Sequence, residues 1–256
     1  MVATLSSSRR LTCLSTCGAF LRFGWPAELP AQGNLTPKSD DLIALTRAAE
    51  KTLRKLLTED VVSALKAHCD YVTIGVDTQK DKVSTTYNVI SQPHAELVSL
   101  VDLHADTVHW TGKFYPTPQQ ERSIVRFPDL ESHFVRLNGE AVMILGCHDL
   151  SAYSPRGQAR ATGWRQDVSQ EFRRIAVQHR PTVILQHPHT TVKCRTWKQQ
   201  WQRLEEEMRF VEQYLGTGAY SYRDDGWDGR DDLERVLDST QRGEIVSLVV
   251  RLGVAE

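Results

Sequence analysis

The chain has 256 residues, 40% of them hydrophobic, and a formal net charge of −1. That length fits one large domain with a substantial core, and the near-neutral charge excludes a broad basic surface for nucleic acid or an anionic membrane. Five scattered cysteines (13, 17, 69, 147 and 194) argue against a disulfide framework. No second pair follows Cys13 and Cys17, which argues against a structural zinc site. No stretch is long and apolar enough to span a bilayer, so the expected compartment is a reducing cytoplasm.

Residues 1–17 form an uncertain N-terminal segment. Arg9 and Arg10 precede a partly apolar run, the outline of a secretory signal, but Arg22 interrupts it and no small-residue cleavage site follows. From residue 18 to 256 a single domain is expected. A strand over 18–25 ends at Pro26 and Pro30. Ser39, Asp40 and Asp41 then open a helix with Leu42, Leu45, Ala49, Leu53, Leu56 and Leu57 on one face.

Strands are predicted at 71–76, 83–90 and 96–103, and 114–118 reads as a loop. Asn138-Gly139 is a hairpin signal between 134–137 and the following apolar run. Beyond a loop at 151–162, the pattern predicts a helix over 167–178 and a strand over 182–185. A long helix over 196–214 follows, with Trp197, Trp201, Leu204, Met208 and Val211 as its stripe. A turn at 224–229, a helix at 231–237 and a strand at 244–250 close the chain. The alternation implies a layered α/β domain with mixed sheets.

The chain is organised around residues 140–150. Five apolar residues, Ala141 to Leu145, lead into Gly146-Cys147-His148-Asp149. Such a run reads as a strand buried on both faces, and the residue after its carboxyl end is delivered into an open crevice. A cysteine there suits a thiol nucleophile, which attacks as thiolate and needs a base, a positive neighbour and donors for the oxyanion. Taken alone, it reads better as an inert buried cysteine.

Two upstream stretches offer partners. Glu28 follows a strand end, and Lys113 opens a proline-rich loop with Glu121 eight residues on. In isolation these are a loop carboxylate, a surface charge and an ion pair with Arg122. Their order with Cys147 is what carries information.

In that order, Pro26-Ala27-Glu28-Leu29, Gly112-Lys113-Phe114-Tyr115-Pro116 and Gly146-Cys147-His148-Asp149-Leu150 resemble the nitrilase superfamily, the carbon–nitrogen hydrolases. Lys113 and Cys147 are 34 residues apart, a separation compatible with that family. Tyr87-Asn88 after the glycine-containing strand, and the tryptophan-started helix at Trp197, fit its framework.

The resemblance implies a four-layer α-β-β-α sandwich and an amidase-like or nitrilase-like hydrolase. Cys147 would attack an amide or nitrile carbon, with Glu28 as general base. Lys113 and the backbone amide of His148 would hold the oxyanion, and Glu121 would position. His187 and His189, after the next strand, would line the substrate pocket. The resemblance implies no cofactor, no metal, no nucleic acid or membrane partner, and a homodimer or larger homo-oligomer. This chain departs from the family in Ala27, between Pro26 and Glu28, and in His148, where Tyr or Trp is usual. Only 27 residues precede Glu28, which reads as a truncated or divergent N-terminus.

Two other readings stand beside this one. Asp102, His104 and Asp106 share one face if all three lie on a strand, and with Cys147-His148-Asp149 and His187-Pro188-His189 they could ligate the metals of a metal-dependent hydrolase. The other is a catalytically inactive relative.

Overall fold

Residues 11–29, 39–79, 93–118, 120–121, 123–189 and 194–216 are described by a computed structural model. The predicted segments at 83–90, 224–229, 231–237 and 244–250 lie outside them.

The first sheet is built on β3 (Cys69–Thr78), whose neighbours differ on its two edges. On one edge, β1 (Leu11–Ser15) runs parallel to its first half and β2 (Leu21–Phe23) parallel to its second. A strand thus occupies the N-terminal segment for which the sequence shows no clear pattern, and the strand expected over 18–25 shrinks to three residues. Gly75 sits at the break between β1 and β2. A Cβ there would lie 2.2 Å from the Cys17 carbonyl oxygen and 2.6 Å from Gly18 Cα, so only glycine admits the chain.

On the other edge, β4 (Glu96–Asp102) and β5 (Thr107–Gly112) continue antiparallel. Along β4, Leu97 and Val101 face one cluster while Val98 and Leu100 face another, the alternation of a strand buried on both sides.

α1 (Ser39–Leu56) and α2 (Glu59–Lys66) cover one face of this sheet. Leu45, Ala49, Leu53 and Leu57 are buried there as their spacing predicts, but Leu56 is exposed where the chain turns toward α2. Asp40 and Asp41 lie in the first turn of α1, where the helix dipole favours negative charge.

The second sheet runs β6 (Phe134–Leu137), β7 (Glu140–Leu145), β8 (Val183–Gln186), β9 (Gln213–Gly216) in spatial order. β6 and β7 form the expected hairpin, and Asn138 and Gly139 take positive φ of 50° and 92° in its turn. β7, β8 and β9 are parallel.

The stretch after β7, expected as loop, holds a 3-10 turn (Asp149–Tyr153) and a short helix α3 (Pro155–Arg160), capped by the Ser154 hydroxyl. α4 (Trp164–His179) and α5 (Cys194–Glu207) follow. The helix expected to reach residue 214 ends at Glu207. Met208 and Val211 are buried in the connection, and Tyr214 lies on β9, edge-on to Trp201 with ring centroids 4.9 Å apart.

Three apolar clusters follow from this alternation. One joins the first sheet to α1 and α2. A second draws Val98 and Leu100 from the first sheet together with Val142, Ile144 and Leu185 from the second. The third holds Met143, Leu145 and Ile184 against Phe172, Trp197, Trp201 and Leu204 of α4 and α5. The architecture is a mixed α/β fold of two sheets and flanking helices. Among the described residues, no helix is long and apolar enough to cross a membrane.

Candidate active site

The site grows from the ends of both sheets. In the first sheet, Asp77 on β3 is the register partner of Glu96 on β4, and Lys113 follows Gly112, the partner of Leu97. Lys113 also donates its backbone N–H to the Glu96 carbonyl at 2.9 Å. Asp77, Glu96 and Lys113 therefore form one cross-strand row. In the second sheet, parallel β7 and β8 end side by side, Leu145 opposite Gln186, and deliver Cys147 and the 187–189 loop to the same end. Gln186 donates its side-chain amide to the Cys147 carbonyl at 3.2 Å.

Cys147 is 4% exposed. It borders a cavity of about 320 Å³ together with His148, His189, Asp77, His94 and Glu96, and Arg22 and Gln120 complete its polar lining. A second hollow of about 170 Å³ lies by Phe134, Arg136 and His179 and contains no such set.

The thiol is surrounded by donors. The His189 backbone N–H reaches its sulfur at 3.3 Å. Burial alone would raise the thiol, but hydrogen bonds from the His148 and His189 side chains and the charge of Lys113 outweigh it, bringing Cys147 down to about 5. The contrast with its sisters is direct. Cys13 and Cys17 also carry no disulfide, yet burial pushes Cys13 up to about 12 and Cys17 upward too.

Lys113 Nζ lies 2.7 Å from Glu96 Oε2, with both side chains out of solvent. Burial opposes both charges. The pair's mutual attraction nevertheless holds Lys113 above its usual range and Glu96 well below its own. Deeper in the row, His94 accepts or donates at Nδ1 to the Thr78 hydroxyl at 2.8 Å, and its Nε2 stands 3.5 Å from Asp77 and 3.7 Å from Glu96.

One buried carboxylate ties the two loops of the site together. Asp149 accepts from the Gly146 N–H at 3.0 Å on one oxygen and from the Phe114 and Tyr115 N–H groups at 3.2 and 3.0 Å on the other. The cysteine loop and the lysine loop are thereby fixed to each other. A Cβ at Gly146 would lie 2.7 Å from Asp149 Oδ2, which is why a glycine precedes the cysteine.

The structure thus brings Cys147, Lys113, His148 and His189 to one place. Glu28 is exposed on the turn after β2 and does not line the cavity; the carboxylate that meets Lys113 is Glu96. Glu121 pairs with Arg165 of α4 at 2.8 Å, and Arg165 lies over the Tyr115 ring. His187 is buried with Nδ1 donating to the Thr16 carbonyl at 2.6 Å, and burial pushes it down to about 4, so it is a neutral strut between the sheets.

The proposed strand-face ligands do not converge. β4 ends at Asp102, whose Oδ1 accepts the N–H groups of His104 and Ala105 in a turn, while Asp106 pairs with Arg54. Sequence reasoning missed Asp77 and Glu96. The available signal was an acidic residue at the end of each of two otherwise apolar strands, where burial demands a partner.

Asp77, Glu96 and His189 offer ligand atoms within 4.8 Å of one another. Two of these contacts are already made inside the protein, Glu96 Oε2 with the Lys113 ammonium and Asp77 Oδ2 with His189 Nε2 at 2.7 Å.

A cysteine-to-alanine mutant of the Nesterenkonia AN1 amidase from the nitrilase superfamily matches with a TM-score of 0.39 and 12% identity, over 86% of this chain and 80% of that one. An N-terminal amidase solved with a Gln-Gly peptide matches with a TM-score of 0.31 and 14% identity, over 73% of this chain. This chain spans 43% of that amidase, less than half its length. No protein-family model and no curated protein matches the sequence.

Proposed function

We propose that the chain is a carbon–nitrogen hydrolase that cleaves a small-molecule amide or nitrile through a Cys147 thioester. The single observation that carries this reading is a buried thiol that accepts the His189 N–H at 3.3 Å and lines a polar cavity with Glu96, which holds the buried Lys113 ammonium at 2.7 Å. Neither charge would persist there without its partners.

In the proposed reaction the Cys147 thiolate attacks the substrate carbon. Lys113, kept charged by Glu96, and the His148 backbone amide stabilise the oxyanion. From an amide, nitrogen departs as ammonia or an amine; from a nitrile, attack gives a thioimidate, to which one water adds before ammonia departs; in both cases a further water opens the thioester. The carboxylate that meets Lys113 is Glu96, the exposed Glu28 does not fill the base role that the resemblance gives it, and Glu121 acts at a distance by bracing the lysine loop through Arg165.

The same reading carries a four-layer α-β-β-α sandwich, supported by an apolar cluster on each outer face and one shared by the two sheets. It also carries a single domain, whose expected start at residue 18 moves back to take in β1, a cytoplasmic homo-oligomer, and catalysis without cofactor or nucleic acid.

The test is turnover of simple aliphatic and aromatic amides, read as ammonia release, with mass spectrometry of the Cys147 peptide. An acyl adduct on Cys147 during turnover, absent in Cys147→Ala, supports the reading. Amide turnover that survives Cys147→Ala would refute it.

A further inference from the structure

We propose that Cys147, His189 and Asp77 form a thiol–imidazole–carboxylate triad, in which His189 holds the cysteine's proton and delivers it to the leaving nitrogen. The inference rests on the amide-cleaving reading above and supplies the proton carrier that the exposed Glu28 does not.

The geometry is that of a nucleophile, a base and an orienting acid from three separate elements. His189 Nε2 meets Asp77 Oδ2 at 2.7 Å and the His189 backbone N–H donates to the Cys147 sulfur at 3.3 Å, so Nδ1 is the ring nitrogen left to serve the thiol. Asp77 is fixed by its strand register and is 4% exposed. The 187–189 loop is pinned as well. Gly18 donates its N–H to the Pro188 carbonyl at 3.1 Å, and His187 ties to Thr16. A Cβ on Gly18 would lie 2.7 Å from the His187 carbonyl oxygen and 3.3 Å from the His189 ring, so the β1–β2 break is shaped around this imidazole.

His148, the other imidazole on the sulfur, has its ring 6.2 Å from that of Trp197 and lacks such an acid–loop frame. The other charged groups facing the pair are Lys113, Glu96 and His94, with Arg22 across the cavity.

The proton inventory balances. The thiol proton passes to His189 Nδ1, giving thiolate and imidazolium. Sulfur bonds to the amide carbon as its C=O pair moves onto oxygen. The tetrahedral centre then collapses, the C–N bond breaks, and nitrogen takes the His189 proton as it leaves as amine. Water adds to the thioester with one proton going to His189, the C–S bond breaks, and acid and enzyme are regenerated.

The test is the pH profile of Cys147 alkylation by iodoacetamide on the full chain, which needs no substrate. Wild type should show its midpoint near the acid limit given above. His189→Ala should move the midpoint up by ~2 pH units or more, and Asp77→Asn should move it less while cutting amide turnover by about 10³–10⁴-fold. Gly18→Ala, which displaces the ring from outside the site, should shift it in the same direction. Far-UV circular dichroism checks that each variant folds, and Asp77→Asn, nearly isosteric, stands in should His189→Ala fail to. A profile unmoved by His189→Ala or Asp77→Asn, or moved only by His148→Ala, overturns the triad. A shifted profile in a protein that cleaves no amide upholds the triad and fails only the substrate reading.

Discussion

Glu96 and Lys113 meet at 2.7 Å with essentially no water on either side chain. The pair lies directly across neighbouring strands, one position beyond Leu97 and Gly112, so its geometry is set by the sheet and not by flexible stems. Breaking a buried pair by removing one partner leaves the other charge uncompensated. Glu96→Ala is expected to destabilise the fold by about 3–5 kcal/mol. Glu96→Ala with Lys113→Met, which removes both charges, should recover much of that loss. Urea denaturation of the single and double variants measures the coupling. Lys113→Met should also lower turnover by about 10²–10³-fold as an oxyanion donor is lost. Additive stabilities would mean the two charges do not interact.

Thiol and metal chemistries part on a simple pair of measurements. Cys147→Ala should abolish turnover, and prolonged treatment with a chelator should leave it unchanged. The reason is that Glu96 and Asp77 already hold Lys113 and His189 in place of an ion. Activity lost to chelator and restored by zinc would put the metal reading first, with Asp77, Glu96 and His189 as its ligands.

Cys147 and His189 set opposite pH limits on stability. Burial opposes ionisation of both, but hydrogen bonds prevail, from the His148 and His189 side chains on Cys147 and from Asp77 and Cys147 on His189, holding Cys147 near 5 against 9.0 for a free thiol and His189 near 10 against 6.5. The cysteine's contribution is complete above pH 9 and is lost as pH falls through 5. The histidine's is complete below 6.5 and is lost as pH rises through 10. Between 6.5 and 9 native and unfolded pairs bind the same number of protons, so the slopes cancel. The stability difference between wild type and Cys147→Ser, His189→Gln should be flat across that window and shrink on both sides. Denaturant titrations at half-unit pH steps measure it, and a slope inside the window would contradict the pairing.

How far the sequence can be read is shown by where it succeeds. The β7 run and its Gly146-Cys147 exit were legible because five apolar residues in a row can only be a buried segment, and a strand end faces open space. The Asn138-Gly139 hairpin was legible because its turn needs positive φ at both positions. Glu96 and Asp77 were not, because an acid at a strand end looks like the start of a loop until the neighbouring strand supplies Lys113 or His189. Asp149 read as a possible ligand, since three N–H donors from two distant loops leave no local pattern. The end of α5 was misplaced because Met208 and Val211 keep the helical spacing while being buried for another reason, as the connection to β9.

Asp149 gives the last prediction. It is fully buried, and its two oxygens are the acceptors for the Gly146, Phe114 and Tyr115 amides. Each orphaned buried donor costs about 1–3 kcal/mol. Asp149→Ala is therefore expected to destabilise by about 3 kcal/mol or more, with the damage falling on both loops at once. Asp149→Asn keeps one carbonyl oxygen and presents an NH₂ group to the opposite donors. It should rescue only the amides that retain an acceptor, so its loss should be intermediate. Amide hydrogen exchange distinguishes this tie from a general loosening. In Asp149→Asn, protection should fall at Gly146 or at Phe114 and Tyr115, while Met143 and Ile184, in the strands beneath, keep theirs. Equal loss of protection across β7 and β8 would show that Asp149 supports the sheet itself and not the join between the cysteine and lysine loops.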